Sequence, residues 1–342
     1  MRILLTGASG YLGSRILNQL IEHTGHEVAA LVRPGRECAL PRHARVVPVA
    51  GDITDPVSLR LALKGCRAAV HAAAKVSAWA RDPSEFDRVN VEGALSVLRA
   101  AGEAGVDKVI YVSSFLALGS STGTPLDEDS SHLRQVHFND YERTKYDANL
   151  AAQELAQAGL PLVTLYPAVI YGPGPFTAGN LISNLVRDHL RGRLPARIGH
   201  GRQRWNFVYV EDVAAGVRLA LERGKPGQNY ILGGENASLG QFFTALAAAS
   251  GKPAPRFAVP FWTARLIGWA EESLARLSGR MPQLTRGVVD IFRLDWEFDS
   301  SRAGRELGYV ARPLSEGLEL TVRWLRESIP GLDSHGAGKA AP

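Results

Sequence analysis

Tyr141 and Lys145 stand four residues apart, so on a helix they share one face. A free tyrosine titrates near about pH 10, and a neighbouring ammonium favours its phenolate, which brings the value toward neutrality. Lys145 supplies that ammonium and can also reach a ribose hydroxyl. Upstream, Ser113 and Ser114 close an apolar run, where a hydroxyl can hold a substrate oxygen while Tyr141 moves its proton. Such a constellation needs a redox partner, and the N-terminus offers a place for one. Thr6-Gly7-Ala8-Ser9-Gly10-Tyr11-Leu12-Gly13 sets three glycines at equal spacing between an apolar run and an amphipathic stretch. Gly7 permits a tight turn, Gly10 lets backbone approach a pyrophosphate, and Gly13 lets a helix lie close to the strand. The ligand's negative charge then meets the free N–H groups at the helix N-terminus.

Other positions suit the rest of a dinucleotide. About 20 residues past the motif, an NAD-binding chain places an acid to accept from the ribose 2′-hydroxyl. Here that residue is Arg33. A guanidinium binds a 2′-phosphate, so Arg33, with Arg36 as a helper, favours NADP over NAD; the alternative is a solvated loop arginine. In Gly51-Asp52-Ile53, Asp52 can accept from the adenine amino group and Ile53 can cover the ring. After the fourth strand, Ala72, Ala73 and Ala74 are small where backbone must run close to the cofactor.

These residues need a sheet to hold them. From residue 3 to 166, short apolar runs alternate with helical patterns, which predicts successive βαβ units and a doubly wound parallel α/β sheet. Strands are expected at 3–5, 28–32, 45–49, 68–72, 109–113 and 162–166. Leu12, Ile16 and Leu20, with Leu17 and Ile21, give the first helix a sheet-facing stripe. The dinucleotide-binding Rossmann domain is expected over 1–170, with returning segments near 205–235. A smaller, discontinuous C-terminal substrate lobe is expected over 171–330, and a disordered tail over 331–342. Strands are expected at 207–210 and 230–232, and a helix at 239–250. The stretch 264–277 carries Leu266, Ala270, Leu274 and Leu277 on one face, either packing it on the lobe or making it a lid over an apolar pocket.

Composition narrows the classes. The chain has 342 residues, 45% hydrophobic and 21% charged, with a net charge of +5. The basic residues are scattered, which argues against a nucleic-acid groove. Cys38 and Cys66 are the only cysteines, so neither a disulfide framework nor a zinc site is indicated, and no metal is expected. The N-terminal apolar run is too short for a signal peptide, and no stretch is long enough for a membrane span. A reduced cytoplasm is the expected location.

Together, Thr6 to Gly13, Gly51-Asp52, His71 to Ala74, Val89 to Gly93, Val112-Ser113-Ser114, Tyr141 to Lys145, Tyr166-Pro167 and Tyr209 to Val213 resemble one family. It is the extended branch of the short-chain dehydrogenase/reductases, the NAD-dependent epimerase/dehydratase family. The likeness spans roughly residues 1 to 328. Val32-Arg33-Pro34, Trp79 to Pro83 and Leu232 to Asn236 are most similar to its dihydroflavonol-4-reductase-like group. The resemblance implies that Ser114, rather than Ser113, is the catalytic serine beside Tyr141 and Lys145. It adds Ser9, Tyr11, Leu12, Asn90, Tyr166, Pro167 and Val169 to the cofactor contacts and Lys75 to the substrate side. It also implies a homodimer through helices near 83–104 and 141–157.

One departure bears on the substrate. Nucleotide-sugar members carry Arg-Asp before the strand that ends in Val-x-Asp, and here that pair is Trp205-Asn206. Arg204, one residue earlier, would face the other way in an extended segment. Trp205 is either core or the wall of an apolar substrate site. Three readings follow: an NADP-dependent oxidoreductase acting on a carbonyl or alcohol of an apolar molecule, a nucleotide-sugar epimerase or dehydratase, or a non-catalytic NAD(P)-sensing protein.

Overall fold

Alternation along the strands sorts the apolar residues into two layers. The structure, a computed structural model, describes residues 1–36, 39–130, 137–176, 180–194, 196–329 and 332. Strands β1 (Arg2–Thr6), β2 (Glu27–Val32), β3 (Val46–Ala50), β4 (Ala68–His71), β5 (Lys108–Val112) and β6 (Leu162–Pro167) form a parallel sheet, completed by β10 (Asn229–Leu232). The order is β10-β6-β5-β4-β1-β2-β3. Ile3 and Leu5 face one layer and Leu4 the other, as do Ala30 and Ala29 on the neighbouring strand. A sheet apolar on both faces must be covered on both. Helices α1 (Tyr11–His23) and α7 (Val210–Arg223) cover one face through Ile16, Leu20, Val213 and Val217. Helices α2 (Pro56–Leu63), α4 (Ala94–Glu103) and α5 (Asp140–Gln157) cover the other through Leu59, Val97, Leu98 and Ala148. The chain enters α4 through a single turn, α3 (Ser84–Phe86), and a π-helical stretch, Asp87–Gly93.

The strand order reverses between β1 and β4, and ligands of such sheets bind beyond the carboxyl ends of the strands at that crevice. Beside it lies a three-stranded sheet of β7 (Val169–Tyr171), β9 (Arg204–Tyr209) and β11 (Glu235–Ser238), and the chain adds a separate strand pair, β8 (Ala196–Ile198) with β12 (Phe257–Val259). Helices α6 (Leu181–Leu190), α8 (Leu239–Ser250), α9 (Phe261–Ser278), α10 (Arg286–Phe292), α11 (Ser301–Leu307) and α12 (Leu314–Ser328) complete the described chain.

Two sequence expectations change. Residue 210 opens α7 rather than closing a strand, because Glu211 and Asp212 in the first turn suit a helix N-terminus. The apolar face expected to pack α9 onto the lobe, or to close it over a pocket, points to solvent. Its buried side is Ala264, Gly268, Glu272 and Ala275, since small residues let α9 approach α10 closely. Cys38 and the expected tail, Leu332 apart, lie outside the described residues. Among the described residues, no helix is long and apolar enough to cross a membrane.

Candidate active site

The glycine turn is built by close approach. Gly7 has φ +79°, and a Cβ there would sit 2.7 Å from Ala72 C and Ala73 N. A Cβ on Gly13 would sit 2.0 Å from the Gly7 carbonyl oxygen, so only glycine lets α1 start against the turn. Gly10 donates its N–H to that same oxygen at 2.8 Å. No side chain caps α1 at Gly10 and its first turn carries no acid, which leaves the helix N-terminus to an anion. These features fit a dinucleotide pyrophosphate. Behind the turn, the Thr6 hydroxyl meets His71 Nδ1 at 2.7 Å and takes the Ala73 N–H at 3.4 Å, tying β1 to the loop after β4. Burial, with Lys145 nearby, pushes His71 down to about 3, so its imidazole stays neutral.

Arg33 is exposed just after β2, and Asp52 follows the neighbouring β3. Burial pushes the Asp52 carboxyl up. The Thr54 N–H and hydroxyl, at 2.9 and 2.7 Å, together with Arg33 and Arg88, outweigh burial and hold it below its ordinary value. Ile53 lies against Gly93, where a Cβ would come within 2.7 Å of its Cδ1, and Ser9 is exposed on the turn.

A cleft of about 420 Å³ joins the glycine turn to Ser114, Tyr141 and Lys145. Asn139 accepts the Glu142 N–H at 2.8 Å, which fixes the start of α5 and places Tyr141 in its first turn and Lys145 one turn later. Ser113 donates to Asn149 at 3.3 Å, whereas Ser114 caps a short 3₁₀ turn by accepting from Leu116. Burial pushes the Tyr141 hydroxyl up to about 12, and a hydrogen bond with Ser114 works against that rise. Lys145 is pushed down to about 7 by burial; its Nζ donates to the Val112 carbonyl at 3.1 Å and lies 5.3 Å from the Tyr111 ring centroid. The sequence pairing has Lys145 lowering Tyr141. In the folded chain the Ser114 hydrogen bond, not Lys145, is what opposes the rise of Tyr141, and desolvation penalises the charged form of each group.

Leu12, Tyr11, Ala72, Ala74, Pro167, Val169 and Trp205 also line the cleft. Trp205 is buried, donates Nε1–H to the Leu294 carbonyl at 3.1 Å, and forms part of the cleft wall. Arg204 instead pairs with Glu297 at 2.6 Å. Asn90, Lys75 and Tyr166 are not among the cleft's lining residues. The Asn90 amide accepts the Lys75 N–H at 2.7 Å, and donates to the Lys75 carbonyl and the Thr144 hydroxyl at 3.1 Å each. Lys75 Nζ pairs with Glu85. Tyr166 is buried, with Gln153 at 3.5 Å from its hydroxyl. Sequence reasoning missed Ile182, Val288 and Ile291 on the wall and Asn139 as the cap of α5. The cap was the findable one, because an Asn just before an acidic first turn is a start signal.

A doubly wound sheet with an anion-ready glycine turn and this cleft defines a nicotinamide-dinucleotide oxidoreductase of the Rossmann class. Residues 3–233 match the family model of the NAD dependent epimerase/dehydratase family, and the chain belongs to that family. It is thus an extended short-chain dehydrogenase/reductase, an NAD(P)-dependent enzyme, which sets the non-catalytic reading aside. A Synechocystis protein with the provisional name dihydroflavonol 4-reductase is 32% identical, across 94% of each chain. Sterol demethylase protein B of Methylococcus capsulatus is also 32% identical, across 96% of this chain and 99% of that one. The crystal structure of UDP-glucose 4-epimerase from Thermotoga maritima, with UDP-glucose, superposes with a TM-score of 0.76 at 25% identity, covering 96% and 99%.

Proposed function

We propose that this enzyme transfers a hydride between NADP(H) and a carbonyl or alcohol on a largely apolar skeleton, with Ser114, Tyr141 and Lys145 as its catalytic residues. The observation that carries the reading is the shared cleft: the three polar side chains meet the glycine turn where Trp205, Ile182, Val288 and Ile291 supply apolar wall. The names of the Synechocystis and Methylococcus relatives, which point to a dihydroflavonol and a sterol, agree with a polycyclic or isoprenoid substrate. When bound, the nicotinamide supplies or takes the hydride at the reacting carbon. Ser114 holds the substrate oxygen. Tyr141, kept neutral by burial, gives that oxygen its proton as charge develops there, and recovers it when the alcohol is oxidised. Lys145 bonds the nicotinamide ribose and, once protonated, steadies the phenolate that Tyr141 leaves behind. Arg33 takes the 2′-phosphate. The C-terminal lobe shapes the pocket, the protein works in the cytoplasm, and two copies pair through α4 and α5.

Purified enzyme is expected to oxidise NADPH when given hydrophobic ketones such as a dihydroflavonol or a 3-oxosteroid, and to do so faster than with NADH. Failure across such a panel would refute the apolar substrate. The second reading, epimerisation or dehydration of a nucleotide sugar, draws on the whole-chain likeness to the Thermotoga epimerase. It requires a tightly retained cofactor and binding of a UDP- or GDP-sugar, both measurable by mass spectrometry of molecules released from the protein.

A further inference from the structure

Helix α9 turns its large apolar side chains outward. Trp262 is 69% exposed, Leu266 57%, Trp269 57%, Leu274 64% and Leu277 87%. The opposite face is committed to α10: a Cβ on Gly268 would lie 2.9 Å from Arg286 N, and Glu272 accepts from Arg286 N and Nε. The bare stripe therefore cannot turn inward without breaking that contact. Scattered exposed leucines need no explanation, but two indoles and three leucines along one helix form a contiguous apolar patch that water disfavours.

The charges around the stripe indicate what covers it. Residues 251–293 hold seven Lys or Arg against three Asp or Glu, in a chain whose net charge is +5. All three carboxylates are engaged. Glu271 accepts from Gln283 N at 3.0 Å, Glu272 pairs with Arg286 at 2.7 Å, and Asp290 pairs with Arg265 at 3.2 Å. Arg256, Arg276 and Arg280 are exposed, and Arg81 reaches the end of the helix beside Gly279. A stripe of Trp and Leu rimmed by arginine complements acyl chains beneath anionic headgroups, with indoles at the depth they favour. Two-fold pairing of this face with a second copy would instead bring arginines together.

We infer that α9 is a docking surface for an anionic lipid bilayer, on which the enzyme lies without spanning it. Because α9 packs on α10, and Val288 and Ile291 of α10 line the cleft, docking sets one wall of the cleft next to the bilayer. The docking itself does not depend on the substrate proposed above.

The test is co-sedimentation of the full chain with vesicles of phosphatidylcholine alone or mixed equally with phosphatidylglycerol. The wild type is expected to partition onto the mixed vesicles, weakly onto the neutral ones, and less as salt rises. Trp262→Ser/Trp269→Ser should lower partitioning by about tenfold or more while NADPH binding is kept, since both side chains lie on the exposed face. No binding to the mixed vesicles, equal binding to neutral ones, or undiminished binding by the double variant overturns the inference. So does a dimer that the same substitutions dissolve in sedimentation velocity, which would assign the face to a second copy.

Discussion

At the residue scale, the three candidate catalytic side chains divide into what the sequence shows and what only burial decides. The spacing of Tyr141 and Lys145 puts both on α5, and the serine pair at the end of β5 was equally legible. Their acidities were not, because elements distant in sequence desolvate them. Tyr141→Phe removes only the proton donor, so kcat should fall by about 10²–10⁴-fold with cofactor binding retained. Steady-state kinetics and fluorescence titration check this, and full activity would remove Tyr141 from the mechanism. Lys145 carries a stability cost. Its folded value of about 7 lies below its ordinary 10.5, so between those values the unfolded chain holds more protons. The stability of the cofactor-free protein therefore rises with pH across that window, and the cost is fully present below it. Lys145→Met should abolish turnover, stabilise the cofactor-free chain at neutral pH by on the order of 1–3 kcal/mol, and flatten that rise. Urea unfolding at two pH values measures both effects. Arg33→Asp should move preference from NADPH toward NADH, read as the ratio of the two kcat/KM values; an unchanged ratio would make Arg33 a solvated loop residue after all.

At the element scale, periodicity told strand from helix and showed which side of α1 meets the core, but not which side of α9 does. The six expected strands fall within a residue or two of β1 to β6, because a buried parallel strand is a short apolar run between breakers. The first helix was equally plain: its stripe at Ile16, Leu17 and Leu20 is buried. Helix α9 was misread for a physical reason. Its packing face consists of Ala, Gly and a paired Glu, which pattern reading discounts, while the conspicuous Trp and Leu residues lie opposite. The π-helical stretch carrying Asn90, whose amide bonds Lys75 and Thr144, was not foreseeable either, since such stretches have no short sequence signature. The glycine turn makes the sharpest demand on an element. Gly13→Ala places a methyl 2.0 Å from the Gly7 oxygen, which the turn cannot hold without moving α1. The change should destabilise the protein by roughly 1–3 kcal/mol and abolish dinucleotide binding, observable together in thermal melts with and without NADPH. A melt still raised normally by NADPH would show that the helix tolerates the shift.

At the scale of the whole molecule, the sheet brings residues from 7 to 291 to one cleft at its switch point. The sequence disclosed the half of that cleft that recurs as motifs. The other half, with Ile182, Val288 and Ile291, comes from elements whose contribution is shape alone, and shape has no short signature. Fold and family are shared by reductases and epimerases, so the distinction rests on what becomes of the hydride. A reductase ends each turnover with the hydride in its product, whereas an epimerase returns the cofactor unchanged. The decisive measurement is therefore the mass of the product formed with NADPH deuterated at the transferable position of nicotinamide C4. The expected product is an alcohol carrying one deuterium at the former carbonyl carbon, with one NADP⁺ formed for each molecule. An isomer of the substrate without deuterium, and a cofactor still reduced, would contradict the reductase reading.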